Sequence, residues 1–248
     1  MLTEERHQVI KKLLKSDGIV KLHEIIEATG ASESTVRRDL SQLEEAGELV
    51  RVHGGAKRIF SVDYEPSVRE KSEQHRSEKE RIGKYAASLV KANDFIYIDA
   101  GTTTLSMLPF IETESVTVVT NGLEIATYLI DRDIKTILIG GYIKPRTRAM
   151  IGSDAINQLR QYQFSKAFMG TNGIDSQYGF TTPDREEANV KQTAINQTNQ
   201  VYMLSDSSKF DKVSFCKIME LDDATIITNT LSDSQRKKFA KLTKLKEV

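Results

Sequence analysis

The spacing of apolar positions changes near residue 60. Before that point they recur at helical intervals. Val9, Ile10, Leu13 and Leu14 form one face of a helix predicted over residues 3–15, closed by Asp17-Gly18. Leu22, Ile25, Ile26 and Ala28 form a second face over 22–29, and Gly30 supplies the turn. Ser32 suits the N-cap of a third helix over 33–46, where Val36, Leu40 and Leu43 fall at i, i+4 and i+7. Two short strands then flank Gly54-Gly55 as a hairpin. Beyond about residue 77, β-rich runs at 95–98, 116–119, 136–139, 166–169, 201–204 and 224–228 alternate with helical stretches. Those stretches are 77–91, 103–111, 122–131, 153–161, 184–197 and 232–244.

The second pattern predicts βαβ units and a mostly parallel sheet with helices on its faces. The first predicts a winged helix-turn-helix, two short helices joined by a tight glycine turn and followed by a hairpin. The expected fold class is therefore α/β, with the winged unit at 1–60 and an α/β domain at 77–248. The polar stretch 61–76 with Pro66 reads as a linker, and Ser77 with Glu80 as a capping box that opens the next helix.

Composition narrows the class. The chain has 248 residues, 39% hydrophobic and 28% charged, which is ordinary for a folded soluble protein. No apolar run approaches the ~20 residues of a membrane span, and Met1-Leu2-Thr3-Glu4-Glu5-Arg6 has no signal-peptide core. One cysteine, Cys216, excludes an intrachain disulfide, and four histidines at 7, 23, 53 and 75 lack metal-ligand spacing. A cytoplasmic protein without metal or cofactor is the expectation. Lys plus Arg and Asp plus Glu both number 35, so the net charge is zero. That balance weighs against nucleic acid until placement is considered.

Residues 1–60 are themselves neutral, with ten bases and ten acids. The acids precede the third helix or occupy its C-terminal half. Its N-terminal half presents Ser32, Ser34, Thr35, Arg37 and Arg38, and the hairpin adds Arg51, His53, Lys57 and Arg58. Such a helix end reads base edges in the major groove, where arginine grips guanine bidentately. Asp39 reads as a residue that orients an arginine. A helical module for protein contact, with Arg37 and Arg38 as a solvated face, is the competing reading. Neutrality implies weak non-specific binding and dependence on a few placed bases.

The strand ends of the second region carry polar groups. Asp99-Ala100-Gly101-Thr102-Thr103-Thr104 joins a strand to a helix start as a phosphate cradle does, and it matches neither a P-loop nor a dinucleotide fingerprint. Thr120-Asn121, Gly140-Gly141, Gly170-Thr171-Asn172-Gly173-Ile174-Asp175 and Asp206-Ser207-Ser208-Lys209 follow other strands. Singly each is a turn or a cap; together they predict a pocket at the carboxyl edge of the sheet. Glu187 and Lys191, at i and i+4, are either a surface pair or face the ligand. Lys209 is the phosphate candidate, and Lys71 and Lys79 would reach the ligand and couple it to the first domain. The basic loop Arg146-Thr147-Arg148 belongs to the pocket or to nothing.

Ser32-Glu33-Ser34-Thr35-Val36-Arg37-Arg38-Asp39-Leu40, with Arg51-Val52-His53-Gly54-Gly55-Ala56, resembles the signature of the DeoR family of bacterial repressors. Gly170 to Asp175, Gly179-Phe180-Thr181-Thr182-Pro183-Asp184, Glu187-Ala188 and Asp206 to Phe210 resemble its sensor domain, similar in fold to ribose-5-phosphate isomerases and CoA-transferases. The resemblance implies a homodimeric or homotetrameric repressor that binds double-stranded operator DNA and a phosphorylated sugar. The Thr-Asn-Gly and Thr-Thr-Pro-Asp variants look like fructose-operon repressors, whose inducer is fructose 1-phosphate; tagatose 6-phosphate is the alternative effector. The rival is a sugar-phosphate isomerase with Asp99, Asp175, Glu187 and Lys191 as acid–base groups, which leaves residues 1–60 without a purpose.

Overall fold

The computed structural model describes residues 1–17, 19–46, 48–52, 54–58, 68–112 and 115–248. The chain divides into two compact units, Met1–Ser61 and Val62–Val248.

In the first unit α1 (Thr3–Asp17), β1 (Ile19–Lys21), α2 (Leu22–Thr29) and α3 (Glu33–Glu45) precede the hairpin β2 (Leu49–Val52) and β3 (Gly55–Arg58). Gly30 closes α2 at φ 64°, and the Ser32 hydroxyl accepts the Thr35 N–H at 3.3 Å to open α3. These two residues set the turn between the helices, because glycine adopts φ > 0 freely and serine satisfies an orphan N–H. Ile10, Leu14, Ile25, Val36, Leu40, Leu43 and Leu49 close the core. The strand order is β1-β3-β2. The three-residue β1 was not expected, since it is too short to show a period.

Asp39 is buried in this unit. It accepts from Arg6 Nε at 2.7 Å and Arg6 Nη2 at 2.9 Å. The arginine it orients is thus Arg6 of α1, not one of the exposed pair beside it, and the bidentate bond ties α1 to α3. That bond, more than the accompanying charge attraction, raises the Arg6 pKa.

The second unit opens with α4 (Val68–Glu73) and α5 (Arg76–Ser88). The linker expected over 61–76 is thus helical in part, and 61–67 lie outside the described residues. The Ser77 capping box does not form. His75, at φ 53°, occupies the cap position, while the Ser77 hydroxyl donates to Glu78. Next come β4 (Phe95–Ile98), α6 (Thr102–Leu105), β5 (Thr117–Thr120), α7 (Leu123–Ile130) and β6 (Lys135–Leu138). The antiparallel pair β7 (Tyr142–Lys144) and β8 (Ala149–Ile151), α8 (Ser153–Leu159) and β9 (Phe164–Gly170) follow. The rest is β10 (Gly173–Asp175), β11 (Gly179–Thr182), α9 (Arg185–Asn196), β12 (Thr198–Leu204), β13 (Cys216–Met219), β14 (Thr225–Thr228), α10 (Asp233–Phe239) and β15 (Lys244–Glu247). Two helical expectations shrink. Pro109 stops the 103–111 helix, leaving α6 and a 3₁₀ turn at Leu108–Phe110. The 232–244 helix ends at Phe239, and the alternating Lys244-Leu245-Lys246 becomes an edge strand.

Seven strands make a parallel sheet in the order β15-β14-β12-β9-β4-β5-β6. Helices cover both faces. Ile96 and Ile98 point to the face of α5 and α7, and Tyr97 to that of α8 and α9. From β4 the chain first builds toward β6, then returns to lay β9 on the other side of β4 and builds toward β15. The sheet therefore reverses direction between β4 and β9. In open parallel sheets that reversal parts the connecting loops and leaves a crevice at the carboxyl ends of the two strands.

Asp39→Ala is expected to speed native-state hydrogen exchange at the amides of α1 and α3, and Arg37→Ala, on the solvent face of α3, to leave those rates unchanged. Exchange followed by mass spectrometry checks both.

Candidate functional site

On α3 the exposed Ser34, Arg37 and Arg38 and the half-buried Ser41 follow i, i+3, i+4, i+7, opposite the buried Val36, Leu40 and Leu43. Arg37 Nε and Nη2 donate to Glu33 Oε1 at 2.9 and 2.7 Å. This exposed i, i+4 pair is worth only ~0.3–0.5 kcal/mol, so the guanidinium is easily drawn away. Arg51 of β2 donates from Nη1 to the Ser41 hydroxyl at 2.8 Å, and its N–H to Glu44 at 2.8 Å. The hairpin arginine thereby joins the same face. Ser32 and Thr35 bond to each other at 2.8 Å beside it, and Lys57 is exposed on β3. His53 lies outside the described residues, as does the side chain of Arg58.

An open cleft, with about 720 Å³ of non-atom space once the solvent at its mouth is counted, lies in the second unit. It lies where the topology requires, at the ends of β4 (Gly101, Thr102, Thr103), β9 (Gly170, Asn172) and β12 (Asp206, Lys209). Lys71 from α4, Lys79 from α5 and Glu187 and Lys191 from α9 complete the expected wall.

The floor is one connected ion pair. Asp99, wholly buried, accepts the Gly170 N–H at 2.9 Å and pairs with the Lys191 ammonium, which also donates to the Gly170 carbonyl at 3.2 Å. Glu187 Oε1 accepts from Thr147 at 2.7 Å and Lys144 at 3.1 Å, so the i, i+4 spacing of Glu187 and Lys191 does not bond the two to each other. One wall is cationic. The Lys79 ammonium donates to the Lys71 carbonyl, and Lys209 stands near Asp206. Burial lowers the Lys79 pKa to about 8; Lys209 and Lys71 push the same way, and Asp206 opposes them. Burial, partly offset by Asp206, also lowers Lys209. Asp206 itself ends below its usual value: burial pulls it up, but Lys209 and the Ser208 hydrogen bonds outweigh that.

Several expected residues stay out of the wall. The end of β5 lies away from the reversal: the Thr120 hydroxyl bonds the Ile98 carbonyl at 2.6 Å, and Asn121 Oδ1 accepts the Ala100 N–H at 2.8 Å, holding the β4 loop from behind. Gly140 and Gly141 follow the edge strand β6, where the Gly140 N–H bonds Gln158 at 2.6 Å. Thr104 caps inward on the Asp99 carbonyl at 2.6 Å, and Asp175 closes its own turn on the Gln177 N–H at 2.8 Å. Gly173 is a close-packing position, since a Cβ there would lie 2.5 Å from the Lys212 carbonyl oxygen. In the other direction, Val68, Gln74, His75 and Leu204 line the cleft unforeseen, while Thr171 belongs to a strand end expected there and Thr147 brings the basic loop 146–148 into the wall. Lys71, His75 and Lys79 sit at i, i+4, i+8, a signal available in the sequence and masked by the polar composition around it.

With this geometry in hand, the relatives are informative. Residues 6–62 match the DeoR-like helix-turn-helix domain and residues 74–230 the DeoR C-terminal sensor domain. The chain belongs to the DeoR family. It is 47% identical, over 98% of its length and 100% of the relative, to a Bacillus subtilis protein named as the uncharacterized HTH-type transcriptional regulator FruR. It is 35% identical, over 94% of its length and 95% of the relative, to a Staphylococcus epidermidis lactose phosphotransferase system repressor. Among solved structures, ribose 5-phosphate isomerase A from Methanocaldococcus jannaschii aligns over 55% of each chain at 16% identity, with a TM-score of 0.42. No helix among the described residues is long and apolar enough to cross a membrane.

Sulfate keeps a fixed charge between pH 7 and 9, so it isolates the lysines. Its stabilisation of the protein against heat is expected to weaken as pH rises through about 8, where Lys79 loses its proton, and Lys79→Met to flatten that dependence. A thermal-shift series in sulfate checks this.

Proposed function

We propose that the chain is a DNA-binding transcriptional repressor of a sugar-utilisation operon, released from its operator when a phosphorylated sugar occupies the cleft. The observation that carries this reading is the polarity of the cleft. Lys71, Lys79 and Lys209 gather on one wall with Thr102 and Thr103, while Glu187 and Asn172 offer acceptors elsewhere in it. A phosphate with a polyhydroxylated tail has that same division. With Lys191 taken up by Asp99, three wall lysines remain beside two wall carboxylates, Glu187 and Asp206, an excess that suits one phosphate better than two.

Binding rather than turnover is supported by the state of the acid–base groups. Lys191 is committed to Asp99 and Glu187 to Lys144 and Thr147, so neither stands ready to move a proton. The winged unit reads DNA through Ser34, Arg37 and Arg38, with Ser32 and Thr35 at the helix start and Arg51, His53, Lys57 and Arg58 from the wing. Two copies read the half-sites of a near-palindrome, one helical turn of ~34–36 Å or a multiple apart, so the working form is a homodimer or homotetramer in the cytoplasm. Fructose 1-phosphate is the effector we favour, because Thr171-Asn172-Gly173 and Thr181-Thr182-Pro183-Asp184 resemble the corresponding segments of fructose-operon repressors. The ligand binds one conformation of the sensor better and so shifts the population away from the DNA-competent state.

A thermal-shift panel of fructose 1-phosphate, tagatose 6-phosphate and fructose 1,6-bisphosphate tests the effector, since a ligand stabilises the native state by RT ln(1 + [L]/Kd). Fructose 1-phosphate is expected to give the largest shift, and a panel without any shift overturns the reading. Lys209→Ala is expected to weaken that ligand about tenfold or more, the worth of a charge-assisted hydrogen bond, and leave operator affinity intact. Arg37→Ala is expected to do the reverse, losing about tenfold or more in operator affinity. Calorimetry and gel-shift titration separate the two.

A further inference from the structure

We propose that the turn at residues 146–148, between β7 and β8, carries ligand occupancy from the cleft to the segment joining the two units, with Thr147 as the positioning residue. The proposal rests on reading the cleft as the effector site. Three successive residues of the turn make three different attachments. The Thr147 hydroxyl, in the cleft wall, donates to Glu187 Oε1 at 2.7 Å. The Arg146 carbonyl accepts the Val68 N–H, at the first residue of α4, at 3.2 Å. Arg148, in the left-handed region at φ 52°, is fastened to α7: its Nη1 donates to Glu124 at 2.6 Å and its carbonyl accepts the Leu123 N–H at 3.1 Å.

The turn is therefore anchored at its far end, while its near end touches both a ligand-facing carboxylate and the start of α4. Thr147 and Lys144 both bond Oε1 of Glu187, whose carboxylate lines the cleft. Glu187 is only 7% exposed, so any change in its partners is felt by the groups bonded to it rather than absorbed by water. The other end of α4 is tied to the cleft as well, because the Lys71 carbonyl takes the Lys79 ammonium. A phosphate competes for that ammonium and a sugar hydroxyl for Glu187, so one ligand acts on both attachments of a six-residue helix. That helix follows directly on residues 59–67, through which the chain passes from one unit to the other. Differential contacts of this kind are what an effector needs in order to shift an equilibrium.

Thr147→Val removes the hydroxyl and keeps the shape. Fructose 1-phosphate is expected to bind this variant no more than about tenfold more weakly than the wild type, the worth of one neutral hydrogen bond. Saturating ligand is expected to lower wild-type operator affinity by the ~5–150-fold typical of allosteric coupling, and that factor to fall toward one in Thr147→Val and return in Thr147→Ser. A Thr147→Val protein that ligand releases from operator as fully as wild type overturns the proposal. If the variant does not fold, amide exchange over residues 68–73 of the wild type decides. A ligand-dependent change there supports the relay, and identical rates with and without ligand overturn it. Wild type that binds no sugar phosphate overturns the effector reading and takes the relay with it.

Discussion

The Asp99 carboxylate holds the two directions of the sheet together. Strand β4 begins the half that runs to β6, and β9 begins the half that runs to β15. At the ends of these strands Asp99 takes the Gly170 N–H with the same oxygen that meets the Lys191 ammonium. Removing the lysine from such a pair leaves an uncompensated carboxylate in the interior, which costs about 3–5 kcal/mol. The cleft floor, the position of α9 and the spacing of the β4 and β9 loops all follow from that junction. A lysine so committed contributes field and shape to the cleft rather than reactivity.

Much of this was legible in the residue pattern. The helices of the winged unit and the strands of the central sheet announce themselves by period and by residues with a definite local duty, Gly30 and Ser32 above all. Pattern also gave the carboxyl edge as the place for a ligand. It could not give the order of the strands. Thr120, Asn121, Gly140 and Gly141 follow strands just as Gly101 and Gly170 do, and only the reversal between β4 and β9 separates wall from scaffold. The helix within 61–76 was missed for a different reason: α4 is only six residues long, mostly polar, and stops short of His75 at positive φ, so it shows no period. Asp39 shows the limit of neighbour logic. It stands beside two arginines in sequence and bonds a third from another helix.

The two units solve opposite electrostatic problems. The winged unit is neutral overall and presents Arg37, Arg38 and Lys57 to solvent, where Glu33 holds Arg37 loosely at little cost. The sensor concentrates charge in a half-sheltered crevice, and burial there lowers Lys79 and Lys209. Weakly held cations suit a surface that must meet and leave DNA repeatedly. On the effector reading proposed above, cations destabilised by burial would gain most from an anion placed beside them.

The parallel sheet also sets an order of events during synthesis. The winged unit is built from local contacts and lies first in the chain, so it is free to fold while the remainder is still being made. The cleft floor waits much longer, because Asp99 and Gly170 are 71 residues apart and Lys191 comes later still. At ~5–20 residues per second, the delay between the two strand ends alone is on the order of several seconds. A nascent chain thus possesses its DNA-reading surface before it can sense anything, and a growing polypeptide close to its own template passes through a stage that no effector can address.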